Sequence, residues 1–148
     1  MRFEDKIRSL GIRLLGEIDS ENENIINWKY WLQKYCFLQE YSDDPYAWIT
    51  DVLALKSVNY GNYGVGSVMV DFGNEIIAMG HNLVYSPSFR SDLHSEMVTL
   101  NHFEEENPQI TNLKGYTFYT SLEPCPMCLI RLISTGINKV HHVAYDPI

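Results

Sequence analysis

The sequence predicts an α/β domain of two or three layers, preceded by a helical N-terminal extension. Three observations predict it. Helical and strand patterns alternate in the order helix, hairpin, helix, strand, helix, strand from Pro45 to Tyr145. The strands are short runs of β-branched, aromatic and other apolar residues bounded by turn residues. The chain of 148 residues is long enough to bury a sizeable core without disulfides or other staples.

Residues 1–43 form the extension and residues 44–148 the main domain. Arg2 to Leu15 is a mixed polar and apolar segment that suits a short helix, and Asp19 to Asn24 is a polar break. Ile25 to Tyr41 is rich in aromatics. Trp28, Trp31, Tyr35 and Leu38 fall at helical spacing, which predicts a helix packed on the domain through that apolar face. Cys36, among Tyr35, Phe37 and Leu38, is expected to be buried, as free cysteines usually are. Ser42-Asp-Asp-Pro45 is a helix-start signal, and the helix runs to about Val58 with Trp48, Val52 and Leu55 on one face. Ser67–Asp71 and Glu75–Gly80 flank Phe72-Gly73-Asn74, a β-hairpin pattern.

A loop follows from His81 to Leu93. The pattern is helical from His94 to about Glu105, and the triplet Glu104-Glu105-Glu106 suits a solvated helix end. Tyr116–Thr120 is a strand. Pro126–Ser134 is a helix with proline in its first turn and Gly136 as its stop. Lys139–Tyr145 is the last strand.

Composition bounds the function. The formal net charge is −8, with only 11 lysines and arginines, and these do not cluster. Polyanions are held largely through such cations, so a large nucleic-acid footprint is not expected. No apolar run approaches the ~20 residues a membrane helix needs. The N-terminus has no signal-peptide pattern, so a cytoplasmic protein is expected. Three cysteines are too few for a disulfide framework.

Two of those cysteines form the pair Cys125-Pro-Met-Cys128, and His94-Ser95-Glu96 lies 31 residues before it, counting from His94 to Cys125. A catalytic zinc site keeps three protein ligands and leaves a fourth position for water, and His94, Cys125 and Cys128 supply three. Each segment opens a helix, and helix N-termini favour thiolates. Glu96, two residues beyond a ligand, suits a proton shuttle. Taken alone, a C-x-x-C pair also fits half a structural zinc site or a redox pair. No second pair exists to complete a four-cysteine site. A carboxylate in a first helical turn, taken alone, is more often a solvated or capping group.

These segments resemble the H-x-E…P-C-x-x-C signature of the cytidine deaminase superfamily. The run Tyr119–Cys128 is most similar to the branch holding guanine deaminase, cytosine deaminase and the tRNA adenosine deaminases. The resemblance covers about Pro45 to Tyr145. It implies a three-layer α/β/α sandwich around a mixed sheet, one catalytic Zn2+ held by His94, Cys125 and Cys128, Glu96 as proton shuttle, and often a homodimer. Gly80-His-Asn82 resembles the segment in which an asparagine bonds the substrate, so Asn82 is the carried-over binding residue; its alternative role is a turn residue. The Cys125 backbone N–H is a candidate donor to the oxygen gained by the substrate. Tyr85 and Phe89 either stack on a planar base or pack the loop. His81, His102, His141 and His142 lack ligand spacing to a cysteine and read as structural or surface residues.

The chain departs from the family in carrying Ser95 where alanine is commonest, a small change with little expected consequence. It also has an extension without a family counterpart. The C-terminal part is short: the family has a fifth strand and further helices, and this sequence stops at Ile148. A partner subunit or the extension is expected to close the pocket, unless the chain is truncated or divergent. The expected activity is hydrolytic deamination of an amino-substituted nucleobase or nucleoside, with a free base or nucleoside favoured over tRNA by the acidic charge. The alternatives are deamination of adenosine in tRNA and a non-catalytic, deaminase-like zinc subunit.

Overall fold

A computed structural model describes residues 1–147. Its elements are α1 (Phe3–Gly16), α2 (Glu23–Lys34), α3 (Asp44–Asn59), β1 (Gly66–Val70), β2 (Ile76–His81), α4 (Ser95–Glu106), β3 (Thr117–Leu122), α5 (Pro126–Ser134) and β4 (Lys139–Ala144). The strands form one mixed sheet in the order β2-β1-β3-β4. The β1–β2 and β1–β3 pairs are antiparallel, and β3 and β4 are parallel. A parallel pair needs a crossover, and α5 supplies it.

Alternation along the strands creates the layers. Val68, Val70 and Tyr119 face a core shared with α1, α2 and α3. Met69 and Phe118, one residue out of phase, face Leu100 and Phe103 of α4 and Leu132 of α5. The result is the expected α/β/α sandwich. At Gly66 a side chain would collide with the backbone of α3 at Thr50 and Ala54, so glycine is what lets α3 lie against β1.

The hairpin forms as predicted. Asp71 Oδ1 accepts from the backbone N–H of Gly73 and Glu75, and Asn74 takes the left-handed conformation, with φ 65°.

The extension differs from expectation in two ways. First, the helix ends at Lys34 rather than near Tyr41. The chain beyond it is drawn onto α3: Asp44 accepts from the Tyr35 hydroxyl and the Leu38 N–H, and Trp48 Nε1 donates to the Leu32 carbonyl. These bonds replace further helical turns. Second, the predicted apolar face meets the domain only in part: Tyr35 packs against the core, while its tryptophans stay half exposed beside α3. Leu32 is the buried residue of α2, whereas Trp28 and Trp31 are 58% and 56% exposed. Cys36, expected to be buried, is exposed, because the segment carrying it leaves the helix.

Candidate active site

The site lies where two helices start, one after the β2 loop and one directly after β3. His94 caps α4 and Cys125 caps α5, each with extended backbone, and Cys128 lies in the first turn of α5. The i, i+3 spacing brings both sulfurs to one side. Pro126, with φ already fixed for a helix and no N–H to satisfy, starts α5 immediately after the first cysteine.

His94 Nδ1 lies 3.6 Å from Cys125 Sγ and 3.6 Å from Cys128 Sγ. All three ligand atoms lie within 4.8 Å of one another. Zinc at ordinary Zn–N and Zn–S lengths in a tetrahedron would set the N···S separation at about 3.6 Å. The donor set therefore fits zinc in both chemistry and spacing. Burial, with the neighbouring Glu96 and Cys125 charges, pushes the Cys128 thiol well above its ordinary range. A thiolate at this position needs a cation beside it, and a divalent metal is one.

Glu96 is buried, and burial raises its carboxyl above the ordinary range. Its charge acts directly on Cys128, which puts it beside the ligand cluster. A cavity of about 410 Å3 opens onto the group, within the range of small-molecule sites. Tyr63, Asn82, His94, Glu96, Glu123 and Cys125 are among its walls.

Asn82 is buried, takes the turn role and lines the cavity. Its Oδ1 accepts from the Val84 N–H at 3.0 Å, an Asx turn. Its Nδ2 makes no hydrogen bond among the described residues, and the residue is part of the cavity lining. The Cys125 N–H likewise has no acceptor among the described residues. Tyr85 and Phe89 do not line the cavity. They are 50% and 69% exposed; the Tyr85 hydroxyl lies 2.9 Å from that of the lining residue Tyr63, and Phe89 packs on Tyr85. Tyr63 was not singled out by the sequence; its only signal there is an aromatic flanked by glycines at 61 and 64. Asn62 orders this loop, its Oδ1 accepting from the N–H of Tyr85 and Ser86.

Ser95 carries more than its size suggests. Its hydroxyl donates to the Gly80 carbonyl at 3.2 Å and meets Ser67 Oγ at 2.7 Å, which in turn meets Thr99 Oγ1 at 2.7 Å. This buried chain fixes α4 on β1 and β2 between the two catalytic candidates. At Gly80 a Cβ would come within 2.8 Å of Thr99 Oγ1, so the same contact requires glycine. The four other histidines hold no metal spacing; His141 stacks on Tyr119 and His81 on Tyr60.

The model of the cytidine and deoxycytidylate deaminase zinc-binding region matches residues 44–144. The chain belongs to that family. A tRNA-specific adenosine deaminase of Bacillus subtilis is 38% identical over 96 residues, covering 64% of this chain and 56% of the relative. The structure of a guanine deaminase of Bacillus subtilis superposes with a TM-score of 0.64 at 28% identity, covering 71% of this chain and 66% of that one. A structure from a study of A-to-I editing by tRNA:A34 deaminases superposes with a TM-score of 0.60 at 26% identity, covering 66% and 73%. The chain spans about half the length of the curated relatives it matches, 56% and 53% of the first two. No helix among the described residues is long and apolar enough to cross a membrane.

Proposed function

We infer that the chain is a zinc-dependent hydrolytic deaminase of a free nucleobase or nucleoside, replacing a ring amine by oxygen from water and releasing ammonia. One observation carries the reading: a buried carboxyl, Glu96, stands beside a three-ligand zinc set in a cavity large enough for a small substrate. Bound zinc would supply Lewis acidity, making water a competent nucleophile near neutral pH.

The remaining work falls to the chain's own groups. Glu96 takes a proton from the attacking water and passes it to the ring nitrogen. It then carries the second proton to the amine, so the C–N bond breaks with neutral ammonia leaving. The Cys125 N–H donates to the oxygen the ring carbon gains. Asn82 Nδ2 donates to an acceptor on the base edge, and its Asx turn keeps it aimed there. Tyr63 lines the cavity, with Tyr85 against it and Phe89 on Tyr85. Leu129, Ile130 and Ile133 leave α5 with an exposed apolar face, which a homodimer would cover.

The favoured substrate is small because of charge. Glu96, Glu123 and Asp146 line the cavity, and no lysine or arginine does among the described residues. That wall repels phosphates. Adenosine in tRNA is the second reading, supported by the 38% identity to a tRNA-specific adenosine deaminase.

The test is ammonia release from guanine, cytosine, cytidine, deoxycytidylate, adenosine and adenine, beside inosine formation in tRNA, for wild type and Glu96→Ala. Turnover of one free base or nucleoside, lost in Glu96→Ala with zinc retained, is expected. Turnover of tRNA alone would move the assignment to the second reading. Zinc bound at one per chain with no turnover of any of these would make the protein a deaminase-like binding subunit.

A further inference from the structure

The extension forms a second cavity with a chemistry unlike the first. It is a groove of about 310 Å3 between α2 and α3. Trp28 and Trp31, one helical turn apart on α2, form one wall with their rings edge to face at 6.1 Å. Leu32, Ala54, Leu55 and Val58 make the apolar floor and opposite wall. Asp51 supplies the groove's one charged side chain among the described residues, and Gly64 also lines the zinc-side cavity.

Asp51 is partly buried, yet it makes no hydrogen bond or ion pair among the described residues. The cations of the surrounding elements are engaged elsewhere. Lys29 donates to the Ile18 carbonyl, Lys34 lies over the Tyr30 ring, and Lys56 pairs with Glu17. Arg8 is stacked 3.9 Å above Phe37 and 4.4 Å above Trp48; its Nη1 has no hydrogen-bond partner among the described residues, and the carboxylate that acts on it is Asp44, not Asp51. The other charge acting on Asp51 is Asp44, which is also negative. A carboxylate held beside two exposed indoles, with no counter-charge of its own, matches an ammonium or guanidinium group on an apolar stem. Such a group gains from the ring faces as well as from the carboxylate. The chain already uses this pairing where Arg8 meets Phe37 and Trp48.

We propose that the α2–α3 groove is a binding site for an organic cation, with its charge against Asp51 and its stem over Trp28 and Trp31. Nothing in the deaminase reading requires this site, and the two stand or fall separately.

The experiment is calorimetric titration of the full chain, followed in parallel by tryptophan fluorescence. The probes are agmatine as a free cation, N-acetyl-arginine methylamide as a peptide-borne one, and N-acetyl-citrulline methylamide as the neutral isostere of the second. The expected result is saturable binding of a guanidinium probe at least about tenfold tighter than the citrulline compound. Asp51→Asn and Trp31→Ala should each weaken it by about tenfold or more, Trp31→Phe should restore most of it, and Glu96→Ala should leave it unchanged. Preference for agmatine would assign the site to a free small molecule, and preference for the arginine amide to a side chain of a protein partner. Equal binding of the citrulline compound would overturn the proposal, as would no saturation by about 10 mM of either cation. Loss of a dimer in Trp31→Ala by sedimentation, with no cation effect, would overturn it too and give the groove to a second copy of the chain.

Discussion

The zinc-side pocket and the α2 segment were both marked by their spacing in the sequence, and they came out differently. Cys125 and Cys128 lie together as their spacing implies, and His94 joins them as the family signature implies. Trp28, Trp31, Tyr35 and Leu38 share a helical period, yet the period breaks at Lys34 and the two tryptophans face outward. The difference lies in what each spacing constrains. Cysteines at i and i+3 at a helix start are brought together by the helix itself, whatever packs around it. An apolar stripe says only that something covers it, and the covering surface is chosen by the tertiary fold. On α2 the domain takes Leu32 and leaves the indoles.

The largest effect should come from the metal set. Cys128→Ser and His94→Ala are each expected to lower zinc from one per chain to near zero and to abolish deamination. Because ligand binding stabilises the native state by mass action, thermal unfolding of wild type should also fall on prolonged chelation, while neither variant should respond to the chelator. Zinc retained in both variants would separate the cluster from the metal and break the contrast between the two regions.

The next effect compares burial directly. Phe103→Ala removes a ring from the core between β3 and α4 and should cost about 3–5 kcal/mol in urea unfolding. Trp31→Ala removes a larger ring from an exposed face and should cost within about 0.5 kcal/mol. Comparable losses would mean that α2 packs on the domain through its tryptophans after all.

Much of the fold was legible for the same reason the metal set was. Each strand, the hairpin and the last two helices are set by local pattern: Pro126 starts α5, Gly136 follows its end, and Asn74 turns the hairpin. What was not legible depends on partners distant in sequence. Tyr63 reaches the cavity through a loop ordered by Asn62, and Cys36 is exposed because Asp44 and Trp48 pull the chain out of its helix. Ser95 appeared to be a small substitution for alanine, and only the fold reveals its hydroxyl partners in Ser67 and Gly80. Ser95→Ala leaves the Gly80 carbonyl without that donor and should cost about 1–2 kcal/mol by urea unfolding, with zinc content unchanged.

A small effect is expected at Asp51, and it sharpens the contrast most. Burial, with the Asp44 charge, pushes its carboxyl up to about 6 from 3.8. The folded state thus holds the proton more tightly than the unfolded chain. The charged carboxylate burdens the fold only once pH passes its unfolded value; the burden grows between about pH 4 and 6 and is complete above that. Asp51→Asn removes this burden while keeping the shape. It should raise the unfolding temperature at pH 7 by a few degrees at most, about 4 °C, and leave it unchanged near pH 4. An equal rise at both pH values would assign the gain to packing instead of charge. The zinc ligands also set costly groups in buried positions, but there the metal repays the fold directly. At Asp51 no residue among the described ones does, and a carboxylate that weakens its own fold at neutral pH is where a ligand from outside is to be sought.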